Sequence, residues 1–246
     1  MIDALKRYIQ RQQFSPGPGG IFVNPFFLAR RGLDRVIASY ASGMHGALLD
    51  IGCGTKPYEG YFDVTAYIGL EIEPDESRAA SQRSADCYYD GKRIPFADAR
   101  FDAVVCNQVL EHVFEPGEFL AEIYRVLKPG GRLLVTIPFV WDEHEQPHDF
   151  ARYSSFGLAH LIARQGLVIE RHDKVNDDIG VIFQLLNAYL YKITLGLPSF
   201  LRFAVTITLM ATINLVGVIA RLLLPKNTDL FLDQIMMARK PENEDA

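Results

Sequence analysis

The chain has 246 residues, 22% of them charged and 49% apolar, with a formal net charge of −5. That balance excludes a disordered chain and argues against nucleic acid as a partner, which usually selects a strongly basic surface. Three cysteines, Cys53, Cys87 and Cys106, have neither the number nor the spacing of a disulfide framework or a zinc site. A reduced, cytoplasmic setting without a metal is expected.

The N-terminal run MIDALKRYIQRQQ has no apolar stretch of the kind a signal peptide needs. Residues 2–13 read as a short charged helix, broken by Ser15-Pro16-Gly17-Pro18-Gly19-Gly20. A second helix is expected from Pro25 to Tyr40, with proline suited to its first turn. Ala47–Ile51 is a short apolar run of the kind buried parallel strands show. Further strands are expected at Tyr67–Ile72, Ala85–Tyr89, Phe101–Cys106, Arg132–Ile137, Leu167–His172 and Phe231–Ala238. Helices are expected at Glu118–Leu127, stopped by Pro129-Gly130-Gly131, and at Ser155–Gln165, closed by Gly166. Strands alternating with helices imply an α/β fold with a doubly wound sheet.

The first strand runs into Asp50-Ile51-Gly52-Cys53-Gly54-Thr55. A Gly-x-Gly turn lets a backbone approach a ligand closely, although it also serves turn geometry alone. Glu71 ends the next strand, where a carboxylate can accept both hydroxyls of a ribose or simply be a surface acid. A dinucleotide site would show Gly-x-Gly-x-x-Gly; its third glycine is replaced here by Pro57.

Four ordered blocks, LLDIGCGTKPY, YIGLEIEP, IPFADARFDAVVCNQVLEHV and EIYRVLKPGGRLLVTIPF, resemble the class I S-adenosylmethionine-dependent methyltransferases of the type-11 group. The resemblance covers Leu48 to Arg171, about half the chain. It implies a Rossmann-like, seven-stranded, mostly parallel sheet whose last strand is antiparallel, and S-adenosylmethionine as cofactor. It implies that Asp50, Gly52, Cys53 and Gly54 lie under the methionine part, that Glu71 binds the ribose and that Ile72 packs on the adenine. Asp90 and Gly91 would meet the adenine amino group, and Asn107 and Gln108 the methionine end. Lys56-Pro57 departs from the pattern, since many relatives carry a third glycine directly after the GCGT run.

Methyl transfer is an in-line displacement, so the protein mainly aligns the acceptor and removes a proton where needed. The segment from Trp141 to Tyr153 follows the fifth strand, at the edge where open α/β sheets bind ligands. His148, and after it His144, are candidate bases. Asp149, Arg152 and Tyr153 are candidate acceptor-binding residues, with arginine suited to a carboxylate or phosphate. The alternative is that Asp149 and Arg152 form an ion pair fixing the loop. Glu111-His112 is expected to serve local hydrogen bonding, and Cys53 and Cys106 to be small buried apolar residues.

An apolar stretch separates the last two strands. Ile179, Ile182, Phe183, Leu186, Leu190 and Ile193 recur at helical spacing, interrupted by Gln184, Asn187 and Lys192. Phe203–Ala220 then runs without a charge, the lower bound for a membrane span. A single crossing would put the flanking strands on opposite sides of a membrane, so a shallow or interfacial helical pair is expected. Lys192, Arg202, Arg221 and Lys226, with no acid between Ile179 and Thr228, suit an anionic surface.

The expected organisation is N-terminal helices over 1–44, a cofactor-binding domain over 45–176 and 229–240, and an apolar helical insertion over 177–228. The expected function is O- or C-methylation of an apolar or lipid-linked acceptor by a cytoplasmic protein held peripherally or monotopically on a membrane. The alternatives are methylation of a soluble metabolite, with the insertion as a lid or homodimer contact, and a noncatalytic cofactor-binding scaffold.

Overall fold

The structure, a computed structural model, describes residues 8, 10, 12–73 and 84–242. The expected helix over 2–13 lies for the most part outside them. Seven strands form one sheet: β1 (Ala47–Ile51), β2 (Ala66–Ile72), β3 (Cys87–Tyr89), β4 (Phe101–Asn107), β5 (Leu127–Pro138), β6 (Val168–Val175) and β7 (Asp233–Arg239). Their order is β3-β2-β1-β4-β5-β7-β6. Strands β3, β2, β1, β4 and β5 pair in parallel. β7 is antiparallel to β5: Lys240 exchanges backbone bonds with Gly130 and Gly131, while Leu232 accepts from Val140 further along. The order reverses between β1 and β4, so the crevice for a ligand opens at their carboxyl ends.

All five residues of β1 are buried, as parallel strands covered on both faces must be. Leu49, Val104, Leu133 and Val135 pack with Leu120 and Ile123 of one helix (Pro116–Val126) and with Leu158 and Ile162 of another (Ser155–Arg164). Pro129-Gly130-Gly131, expected as a stop before the fifth strand, instead lies inside β5. The register jumps there, with Phe101 opposite Leu127 but Ala103 opposite Arg132. Gly130 sits at φ +77°, where a side chain would be strained.

The described chain divides into two compact units. One takes residues up to Val36, Val140–Asp142 and Lys174–Asp233; the other takes Ile37–Phe139, Glu143–Asp173 and Gln234 onward. The second carries most of the sheet. The first joins the N-terminal segment and the insertion, which the sequence presents as separate pieces. It contains α1 (Gly20–Val23), the start of α2 (Phe27–Ala41), α5 (Gly180–Ile193) and α6 (Ser199–Leu223), where α3 and α4 are the two sheet-covering helices above.

This helical unit is built with its polar side chains inside. Gln184, Asn187 and Asn214 are 0%, 0% and 1% exposed. Gln184 accepts from the Ala29 amide and donates to the Pro25 carbonyl. Asn187 donates to Asn214 Oδ1 at 2.8 Å, and Asn214 donates to the carbonyls of Ile21 and Asn24. A Cβ on Gly217 would come within 2.9 Å of Phe183, which measures how closely α5 and α6 approach. Val181 and Met210 are buried with them, but many of the large apolar residues point outward: Ile182, Leu186, Ile219 and Leu222 are all exposed, Leu222 by 81%. The positive edge expected of the insertion is largely neutralised. Lys192 pairs with Asp142, Arg221 with Asp178 and Lys226 with Asp177.

Candidate active site

The Gly-x-Gly turn leaves β1 with Gly52 at φ +69° and Gly54 at φ +50°. A side chain on Gly52 would collide with Val109 at 2.3 Å, whereas one on Gly54 would meet nothing within 4 Å. Gly52 therefore serves close packing, and Gly54 leaves its space open to a ligand. The amides of Gly52 and Cys53 both donate to the Leu70 carbonyl. The Gly54 amide donates to Glu71 Oε2 at 3.1 Å, and that of Ile72 to Oε1 at 3.1 Å. With its amides used inside the protein, this turn is not a pyrophosphate cradle. Each Glu71 oxygen keeps capacity for a second bond, which suits a ribose diol.

Lys56 stands where many proteins of this pattern have glycine, and it takes a left-handed conformation with φ +53°. Its Nζ reaches Asp86 Oδ2 at 2.5 Å, and the same oxygen accepts from the Gly69 amide. The Lys56 ammonium, helped by that amide, holds the Asp86 carboxyl below its ordinary value. The ion pair offsets the backbone strain, so Lys56-Pro57 still closes a usable turn.

Asp50 lies at the floor of the turn, 5% exposed. Burial pushes its carboxyl up to about 7, against the opposing effect of the Tyr67 hydroxyl, which donates to Oδ2 at 2.6 Å. Asp50, Gly52, Cys53, Tyr67, Asn107 and Thr136 line a small cavity at the carboxyl ends of β1, β4 and β5. Thr136 donates to Asn107 Oδ1 at 2.6 Å. Gln108, at φ +56°, spends its amide on Thr136 instead of offering it to a ligand. Ile72 is 37% exposed at the end of β2, and a Cβ on Gly91 would sit 3.7 Å from it. An apolar platform therefore borders Glu71. Asp90 caps its own turn, accepting from the amides of Lys92 and Arg93, and these bonds lower its carboxyl. Cys53 is buried and its thiol is pushed up to about 12 by desolvation; Cys106 is raised too, for the same reason. Neither is a nucleophile.

The loop after β5 is ordered by its own charges. Arg152 grips Asp149 through two nitrogens, and this bond holds the Asp149 carboxyl down at about 2. Asp149 also accepts from the His144 amide at 3.0 Å. Its side chain is 3% exposed, so Asp149 and Arg152 form an ion pair that fixes the loop. Tyr153 packs on the core, and its carbonyl accepts from Gln234. The His148 ring is exposed and meets the edge of Phe150, while its carbonyl accepts from His112 Nδ1 at 2.7 Å.

The fold brings together one cluster that spacing could not show. His112 and His144 meet edge to face with ring centroids 4.8 Å apart. Together with the buried Glu111 they present ligand atoms within 4.8 Å of one another, a set able to hold a metal ion. These residues come from segments some thirty positions apart, so no linear motif marks them. Tyr67 and Thr136 were likewise unmarked, being ordinary strand residues in the sequence.

Residues 49–135 match the family described as Methyltransferase domain. A methyltransferase from Mycobacterium marinum is 34% identical over 124 residues, 48% of each chain. A probable S-adenosylmethionine-dependent methyltransferase from Mycolicibacterium smegmatis is 35% identical over 100 residues, 37% of each. The chain thus spans about half or less of the length of these curated relatives. Among solved structures, Haemonchus contortus phosphoethanolamine N-methyltransferase 2 in complex with S-adenosyl-L-methionine is similar in fold, with TM-score 0.54, 16% identity, and 94% and 59% of the two chains covered. So is the [4+2]-cyclase SpnF, with TM-score 0.53, 22% identity, and 85% and 80% covered.

Proposed function

We propose, from the premise that residues 49–135 are a methyltransferase domain of the S-adenosylmethionine-dependent class, that the whole chain methylates an apolar or lipid-linked acceptor at a membrane surface. When bound, S-adenosylmethionine supplies an electrophilic sulfonium methyl group. The residues present suit it. Glu71 has acceptor capacity for the ribose hydroxyls beside the open space over Gly54. Ile72 offers an exposed apolar face to the adenine. Asp50, Asn107 and Thr136 line the polar floor toward the methionine end. Where the acceptor must lose a proton, the imidazoles of His144 and His148 are the bases that the loop after β5 provides.

The observation that carries the membrane reading is the inverted helical unit. A soluble helix buries its apolar stripe and exposes its polar one. Helices α5 and α6 do the reverse over most of their length: amides and small residues, with Val181 and Met210, are buried, and most of the large aliphatic side chains lie outside. That is the packing of helices in lipid. Helix α6 is 25 residues long; its most apolar stretch of 18 residues has mean hydropathy 2.1 and is only 28% buried. The hydroxyls of Thr206, Thr208 and Thr212 all bond back to carbonyls four residues earlier, so they present no unmet polar group. Helix α5, at about 21 Å, is too short to span a bilayer. The short α5 favours a monotopic seat over a two-helix crossing.

The test is transfer of isotopically labelled methyl from S-adenosylmethionine into lipid and aqueous extracts of the source cells. Label in the lipid fraction is expected. Label confined to the aqueous fraction would make the acceptor a soluble metabolite.

A further inference from the structure

The helical unit contains a cavity of about 370 Å³, walled by Phe14, Phe26, Tyr191 and Phe203 and carrying two arginines, Arg30 and Arg202. That volume falls in the range of small-molecule sites. Of the four basic residues in the insertion, three are matched by acids: Asp177 and Asp178 at its start, and Asp142 from the loop after β5. Arg202 has no ion pair among the described residues, and it is the one that lines the cavity. Arg30 also has none among them. Its guanidinium lies 4.9 Å from the centre of the Phe14 ring, which orients it without neutralising it. Among the described residues no acidic side chain lines the cavity. The insertion thus pairs its other three cations, while Arg202 and Arg30, without an ion pair among the described residues, share an aromatic cavity beside the start of α6.

From this charge pattern we infer that the cavity binds a single anionic amphiphile, its phosphate or carboxylate held by Arg30 and Arg202 and its hydrocarbon chain laid along the aromatic walls. The inference rests on the membrane reading above and narrows it: the lipid-linked ligand is one with an acidic group next to its apolar chain. Two arginines match such a group because their planar donors can each form charge-assisted bonds to its oxygens. The aromatic walls exclude a small hydrophilic anion as the preferred occupant, since it would leave them dry and unfilled.

The protein carries its own reporter. Its single tryptophan, Trp141, packs against Phe26 at 5.9 Å between ring centroids, and Phe26 meets Tyr191 edge to face at 5.0 Å. Tryptophan emission of the full chain, titrated with dodecyl phosphate below its micelle concentration, should change saturably. Dodecanol should bind about tenfold more weakly or worse, and inorganic phosphate should give no response. Arg30→Gln and Arg202→Gln should each weaken dodecyl phosphate about tenfold, while Arg30→Lys and Arg202→Lys keep part of the affinity. An equal response to dodecanol would reduce the site to an apolar cleft. A response to phosphate alone would make it a free-anion site, and an unchanged titration in the double Arg→Gln variant would remove both arginines from it. The comparison of ligands on the unmodified protein decides the matter even if a variant fails to fold. It uses neither vesicles nor methyl transfer, so its failure is distinguishable from failure of the membrane or methylation reading.

Discussion

Asp50 makes the stability of the cofactor-free protein depend on pH in a direction opposite to that of most carboxylates. Its folded value of about 7 lies above the ordinary one because burial disfavours the charge. The folded protein therefore holds this proton to higher pH than the unfolded chain does. Stability from Asp50 is fully present below the ordinary carboxylate value and is lost as pH rises toward 7. Each unit of pH in that window costs about 1.4 kcal/mol. Over roughly three units the loss is about 4 kcal/mol, of which about 2–3 kcal/mol falls between pH 5 and 8. Asp50→Asn keeps an oxygen for the Tyr67 hydroxyl and removes the titration. Urea unfolding of both proteins at pH 5, 6, 7 and 8 should show the variant gaining about 2–3 kcal/mol on the parent across that range. A difference that does not change with pH would refute the argument that Asp50 is buried without a compensating cation.

Two further outcomes follow from the turn and from the inverted helices. Gly52→Ala forces a methyl to within 2.3 Å of Val109 at a positive φ; thermal melts should show a loss of about 1–3 kcal/mol. Ile219→Asp with Leu222→Asp places charges on the exposed apolar face of α6. The intact chain should float with lipid vesicles and this variant should stay in the dense fraction with its circular dichroism kept; a parent protein that ignores vesicles would instead make the helical unit a cap or a contact between copies.

The sheet was legible because its evidence is local. Apolar runs such as Ala47–Ile51, a Gly-x-Gly turn and an acid at the end of β2 each declare themselves within a few residues, and each stands where expected. Long-range matches were not legible. Nothing near His112 announces that His144 packs against it, and nothing near Lys56 announces that Asp86 compensates its left-handed backbone. The loop Asp149-Phe150-Ala151-Arg152 could be read as acceptor clamp or ion pair, and that Arg152 meets Asp149 is visible only in the geometry. In the insertion the period of the apolar residues was readable, but not the face that would be buried. Periodicity fixes which residues share a face, whereas Gln184 and Asn187 go inside because the Ala29 amide, the Pro25 carbonyl and Asn214 are there to bond them. The basic edge is matched in a way no local reading of Ile179–Thr228 shows: Asp177 and Asp178 immediately precede that segment, and Asp142 comes from the loop after β5.

The central claim is that the turn after β1 and Glu71 hold S-adenosylmethionine. Isothermal titration of the folded full chain with S-adenosylmethionine, beside Glu71→Gln, tests it most directly. One cofactor should bind per chain, and the variant should lose about 1–3 kcal/mol of affinity through its lost charge-assisted bonds to the ribose. A folded parent that shows no binding, or a folded variant that binds as tightly as the parent, would contradict the account.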